Sequence, residues 1–188
     1  MNIYEQCPET ESEHYRLRLT IPDDLEDLLK IYSDRFALPF FNSDNCHGDN
    51  FYYTTRERMK EALDFWDLSY RNKWFVRLSV IEKKSNTVIG TTELCYRVSE
   101  DAFNRMCILR VDVGSKYETE AVLTEIVRTI APHTDEWLGS EGIVTKAPIY
   151  AVERIKALQN NGFTQSEHYL VGGYDGYQYN GYWTLENK

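Results

Sequence analysis

The spacing of apolar positions divides this chain into elements before any other property is considered. Tyr15-Arg16-Leu17-Arg18-Leu19 alternates with period two and predicts a strand. Thr20-Ile21-Pro22-Asp23-Asp24 reads as a helix start, with Thr20 as cap, Pro22 in the first turn and two acids complementing the helix dipole. Leu25, Leu28, Leu29 and Tyr32 then fall at i, i+3, i+4 and i+7, which gives that helix one buried face. Residues 39–53 form a long loop, polar in the middle and aromatic at both ends. Met59, Ala62, Leu63 and Trp66 mark a second amphipathic helix.

Residues 74–82 and 87–97 predict two antiparallel strands joined at Lys83-Lys84-Ser85-Asn86, and 104–113 a third. In the third strand Cys107, Leu109, Val111 and Val113 share one face, with Arg110 and Asp112 on the other. The chain runs on through a short turn from Gly114 into a helix carrying Leu123, Ile126, Val127 and Ile130 at helical spacing, closed by Pro132. Residues 142–146 read as a short strand and 149–161 as a helix stopped by Gly162. Residues 163–171 and 182–186 read as closing strands. The order is that of one mixed α/β sheet, mostly antiparallel, with helices on both faces. Residues 14–188 are expected as a single domain and the polar, acidic residues 1–13 as a flexible arm.

Composition narrows the class. With 188 residues, 42% apolar and 27% charged, the chain can bury a real core. A net charge of −9 argues against a nucleic-acid surface and leans toward cationic small molecules. The four cysteines show no paired spacing, no leader-like stretch opens the chain and no run is long enough to span a membrane, so a cytoplasmic location is expected. Cys46 and His47 are neighbours without a second ligand pair, so no metal site is expected.

Three passages, taken in order, resemble the GNAT-type N-acetyltransferases, in particular the branch that acetylates N-terminal amines of ribosomal proteins. They are Tyr15-Arg16-Leu17-Arg18-Leu19-Thr20 with Asp23-Asp24, then Val88-Ile89-Gly90-Thr91-Thr92-Glu93-Leu94, and finally Glu153-Arg154-Ile155 through Asn161-Gly162-Phe163. The resemblance implies a splayed strand pair that takes the pantetheine arm of acetyl-CoA along residues 109–113, including Val111 and Val113. It also implies a diphosphate held at the following turn, on Glu118, Thr119, Glu120, Ala121, Val122 and Leu123. The acceptor implied is a primary amine, either a small cationic amine or a peptide N-terminus, acetylated directly in a ternary complex.

The same comparison exposes departures. The turn carries Thr119 and Leu123 at two of three glycine-type positions, and Asp112, Glu118, Glu120 and Glu125 face only Lys116. A diphosphate would meet charge of its own sign there. The tyrosine that the family uses to protonate the leaving thiolate falls on Leu158, and the asparagine opening that helix on Ala151. Candidate catalytic residues are therefore Glu93 and Asp112 as base and Tyr150 as proton donor. Phe40, Phe41, Phe51, Tyr52 and Tyr53 would wall the acceptor pocket. The Gly/Tyr-rich residues 172–183 suit a substrate cover or a homodimer contact. The alternative reading is a GNAT-fold protein that has lost acetyl-CoA binding and serves as a non-catalytic interaction module.

Overall fold

A computed structural model describes residues 2–186. An eight-stranded sheet organises the molecule. In chain order its strands are β1 (Thr10–Glu11), β2 (Tyr15–Leu19), β3 (Val76–Glu82), β4 (Thr87–Tyr96), β5 (Cys107–Val113), β6 (Gly142–Lys146), β7 (Thr164–Gln165) and β10 (Tyr182–Glu186). Their order across the sheet is β1-β2-β3-β4-β5-β6-β10-β7, antiparallel throughout except for the parallel pair β5–β6. A separate two-stranded ribbon joins β8 (Leu170–Val171) to β9 (Gln178–Tyr179).

Both faces of the sheet are covered, and the period-two alternation of β3–β5 sorts their side chains between them. On one face Val76, Leu78, Leu109, Val111 and Val113 pack against Leu123, Ile126, Val127 and Ile130 of α3 (Glu120–Ile130) and Ala157 and Leu158 of α5 (Val152–Asn160). The opposite face meets α1 (Leu25–Tyr32) and α2 (Arg56–Arg71), whose Leu25, Leu28, Tyr32, Met59, Ala62, Leu63 and Trp66 form the second cluster. The sequence periodicity identified those helix faces. A short helix, α4 (Thr134–Leu138), follows Pro132 and carries no periodic signal of its own in five residues. Gly162 sits at φ +82°, the left-handed position that stops α5, and the Phe163 N–H closes back on the Leu158 carbonyl at 3.0 Å.

Several sequence expectations change. Residues 2–13 are not a flexible arm: Ile3 is fully buried in the larger core, its N–H donates to Trp137 O at 3.2 Å, and its carbonyl accepts from the Tyr70 hydroxyl at 3.0 Å. Tyr4 and Cys7 pack against the same core, and Thr10–Glu11 pair with β2, so several anchors dock the segment. Thr20 does not cap a helix; its hydroxyl donates to Arg77 O, while Asp24 accepts the Ile21 N–H and binds Arg18 through both oxygens. The strand expected over 163–171 breaks into β7 and β8, which belong to different sheets. No helix among the described residues is long and apolar enough to cross a membrane.

Replacing Ile3 by Ala is expected to lower unfolding free energy by about 2–5 kcal/mol, the usual cost of truncating a fully buried aliphatic side chain. Urea denaturation measures it, and a segment that only trails in solvent would show no change.

Candidate active site

Strand register brings the polar residues of the central strands together. Arg77 lies opposite Glu93, and Glu93 opposite Arg110; one step along the same face, Ser79 lies opposite Thr91, and Thr91 opposite Asp112. All six side chains point toward α1 and α2. Two rows of charged and polar groups therefore sit beneath the helix layer.

Arg77 is the hub. Its Nη1 donates to Tyr32 Oη at 2.7 Å, Asp112 Oδ2 at 3.0 Å and Thr91 Oγ1 at 3.2 Å, and its Nη2 to Glu93 Oε2 at 2.5 Å. The guanidinium also lies 4.4 Å from the Trp66 ring centre and 5.3 Å from that of Phe51. Burial works against its charge, but Tyr32, Glu93 and Asp112 outweigh it and raise its proton affinity further. Arg110 reaches the other oxygen of Glu93 and donates from Nη2 to the Asp44 carbonyl at 3.0 Å.

The two candidate bases differ sharply. Glu93 is 3% exposed. Burial alone would raise its pKa, but Arg110 and Arg77 grip both oxygens and leave it below the ordinary value. It holds the two arginines and has no oxygen left to take a proton. Asp112 is raised instead, because burial exceeds the opposing pull of Arg77 and Arg154. Its Oδ2 accepts from Arg77 and from the Tyr32 hydroxyl at 3.1 Å, whereas its Oδ1 is buried without a partner. Tyr150 is exposed on the segment between β6 and α5, and its hydroxyl donates to Pro39 O at 2.7 Å. That bond ties the α5 side of the sheet to the loop after α1.

Beside Asp112 the sheet opens. The parallel register of β5 and β6 ends at Leu109 opposite Thr145, while β5 continues to Val113 without a β6 partner. Arg110, Val111, Asp112 and Val113 thus present an unpaired backbone edge where an extended chain can pair. An edge of this kind is what the resemblance to the GNAT enzymes implies for the pantetheine arm of acetyl-CoA.

At the turn that follows, side-chain carboxylates take two of the backbone N–H groups. The Ser115 N–H donates to Asp34 Oδ2 at 2.9 Å, and hydrogen bonds from Ser115 outweigh burial to keep Asp34 below the ordinary carboxylate range. At the start of α3 the Glu120 N–H donates to Glu153 Oε2 at 3.1 Å. Glu118 is clamped by Arg154, with Nε on Oε1 and Nη2 on Oε2, both at 2.7 Å, and both residues are buried. Thr119 occupies the helix cap without a side-chain bond, and Glu120, Ala121 and Val122 open the helix beside an open groove of about 660 Å³ lined by Glu13, Glu120, Glu125 and Glu153 against Arg128. Leu123 turns into the core, so its bulk does not crowd the turn as the sequence comparison implied. Leu158 and Ala151 are likewise buried.

The loop of residues 39–53 closes over the charged rows. Phe41, Phe51 and Tyr53 pack into the helix-side core, whereas Tyr52 is exposed. Asp44 accepts on Oδ2 from Lys146 Nζ at 2.5 Å and from the Tyr182 hydroxyl at 2.9 Å. The Asn45 side chain accepts the Tyr174 N–H at 3.1 Å, and the His47 ring lies 3.9 Å from that of Tyr174. The Gly/Tyr-rich hairpin thereby holds this loop down. Sequence reasoning found Glu93, Asp112 and Glu118 but not their partners Arg77, Arg110 and Arg154. A signal existed for the first two: each is an arginine flanked on both sides by apolar residues inside a strand, Val76 and Phe75 with Leu78 around Arg77 and Leu109 with Val111 around Arg110.

No family model matches the chain, and no curated protein matches it. Solved structures do. A GNAT-family acetyltransferase from Bacillus anthracis superposes with TM-score 0.69 at 12% identity, covering 95% of this chain and 98% of that one. Ribosomal-protein-S5-alanine acetyltransferase from Vibrio fischeri gives 0.65 at 16% identity, with 96% of each chain covered. Spermidine N-acetyltransferase from Vibrio cholerae, in complex with CoA and spermine, gives 0.62 at 11% identity over 93% of this chain and 94% of that one. These likenesses span nearly the whole length in both directions, and the chain has the fold of the GNAT acetyltransferases.

Proposed function

We propose that this protein transfers an acyl group, acetyl in the simplest case, from a pantetheine-type thioester to a primary amine on a small molecule or a peptide N-terminus. One observation carries the reading: Asp112 lies on the strand whose edge is unpaired, with a raised proton affinity and one buried oxygen that nothing else uses. A bound thioester would supply an electrophilic carbonyl carbon and a leaving thiolate. Asp112 Oδ1 takes the proton of the attacking amine. Arg77 and Tyr32 hold the other oxygen and fix the carboxylate in place. Glu93 positions Arg77 and Arg110 and does not itself exchange protons. Tyr150, at the exposed rim, is the remaining candidate for returning a proton to the thiolate once its bond to Pro39 is released.

Acetyl-CoA is the donor that the fold suggests, yet the occupied turn favours one whose nucleotide diphosphate contributes little. A second reading has its own support in that turn. If the carboxylates of Asp34, Glu153 and Glu118 exclude the coenzyme altogether, the protein is a non-catalytic interaction module on the same fold.

Two experiments separate these outcomes. S-acetylpantetheine and acetyl-CoA are expected to bind within about threefold of each other by calorimetry; a turn that cradled the diphosphate would make acetyl-CoA far tighter. Absence of heat and of thermal stabilisation by either compound at millimolar concentration would leave only the module reading. Asp112→Asn is expected to lower kcat/KM by about 10²–10⁴-fold, the usual worth of a general base. The variant should remain folded. A raised pKa means the folded state binds that proton more tightly, so wild-type stability from this group falls as pH rises through the window above the ordinary carboxylate value. The advantage of the Asn variant over wild type should therefore grow with pH across that window and vanish below it. Its melting temperature followed from pH 3 to pH 8 checks the sign.

A further inference from the structure

Asp44 is held by groups on three different strands. Lys146 on β6 and Tyr182 on β10 both donate to its Oδ2, and Arg110 on β5 donates to its carbonyl. All four residues are largely shielded, with side-chain exposures of 13% for Asp44, 21% for Lys146 and 13% for Arg110, and Tyr182 1% exposed. The donors belong to the sheet, while their acceptor belongs to a loop without regular structure. That loop places Asn45, His47 and Phe51 at φ of 57°, 56° and 61°, left-handed values that cost energy for residues with a side chain, most of all Phe51.

A further donor at the same place has no partner: Arg110 Nε is buried and unbonded. The Asn42 side chain hydrogen-bonds the Tyr182 hydroxyl and so belongs to the same cluster. The sheet thus offers more donors than Asp44 uses. Charge adds a second constraint. Glu93 is shared between Arg77 and Arg110, so withdrawing Asp44 would leave Lys146 and Arg110 with a positive excess. An anion in its place would restore the balance. Arg110 and Asp112 are two residues apart on the same face of β5, a separation of about 7 Å along the strand.

We propose that Arg110, Lys146, Tyr182 and Asn42 form a carboxylate-binding subsite, that Asp44 is its internal occupant, and that the acceptor is an amine carrying a carboxylate a few bonds away. The ligand carboxylate replaces Asp44 as the loop lifts, and its amine points along β5 toward Asp112. The proposal rests on the amine-acceptor reading above. It narrows that reading away from polyamines, which would bring further positive charge to two cations.

Calorimetry on the full chain, with no acyl donor present, tests the subsite by itself. The probes are ω-amino acids of three to six carbons, their primary amides and diamines of matching length, against wild type, Asp44→Ala and Lys146→Met. The best amino acid is expected to bind at least tenfold tighter than its amide and than the diamine. Asp44→Ala should tighten the amino acid at least tenfold over wild type, since no internal carboxylate competes, and Lys146→Met should abolish the preference for acid over amide. Should Asp44→Ala fail to fold, Asp44→Asn keeps the side-chain shape without the charge and should show the same gain. Wild type should give the same ranking at lower affinity. Equal binding of acid and amide, a preference for the diamine, or no binding to folded Asp44 variants would overturn the subsite. The calorimetry needs no acyl donor, so a separate assay of wild type with S-acetylpantetheine and the best amino acid reads transfer: acid preference with no transfer would fault the transferase reading and leave the subsite standing. Transfer without acid preference would do the reverse.

Discussion

Two arginines and two carboxylates buried on one face of β3, β4 and β5 constrain everything around them. Taking such charges out of water is expensive, and the cost is offset only when pairing and hydrogen bonding are nearly complete. Here pairing is built into the sheet: the Arg77–Glu93–Arg110 row follows from strand register, and a one-residue slip would send each charge to the apolar face. The aromatic floor of Trp66 and Phe51 and the hydroxyls of Tyr32 and Thr91 complete the shell around Arg77. Removing Glu93 would strand Arg77 and Arg110, at a typical cost of about 3–5 kcal/mol. The network therefore holds strand register, helix placement and the environment of Asp112 together. The difference between Glu93 and Asp112 follows from it. Glu93 sits between two cations, whereas Asp112 shares one and keeps a free oxygen.

Much of the fold could be read locally. The periodicity of Leu25, Leu28 and Tyr32, of Met59, Ala62 and Trp66, and of Leu123, Ile126 and Ile130 survives because each helix has one core to face. The partners of the polar residues could not be read this way. Glu118 reads as an unpaired carboxylate in a turn until Arg154, 36 residues later, is folded against it. Asp44 is 102 residues from Lys146 and 138 from Tyr182. Such pairs depend on which strands become neighbours, which no window of the sequence contains. Ile3 fails for a related reason: Ile3, Tyr4 and Cys7 show no helical or strand periodicity, yet each finds a place on the core.

The charge excess that the sequence places around the phosphate turn takes a specific form in the structure. Asp34 and Glu153 each take a backbone N–H of the turn, and Glu118 neutralises a buried arginine. What reads as repulsion toward a ligand is, within the folded chain, satisfaction of donors that would otherwise stand open. The anion-binding potential of the strand-turn-helix unit is thus used in part by the chain itself, at the Ser115 and Glu120 N–H groups.

An anion arriving at either place must therefore compete with a carboxylate already tethered there, and its apparent affinity is its intrinsic affinity scaled by the fraction of molecules in which that carboxylate has left. That fraction differs between the two places. At the turn, Glu118 cannot leave without stranding the buried Arg154, and Asp34 is fixed just beyond the end of α1. At Asp44 the donors stay on the sheet and only a loop has to move, one that already holds Phe51 in an unfavourable backbone conformation. Exchange of an internal carboxylate for an external one therefore asks for movement of a loop at Asp44, but at the turn before α3 it would leave Arg154 buried and unpaired.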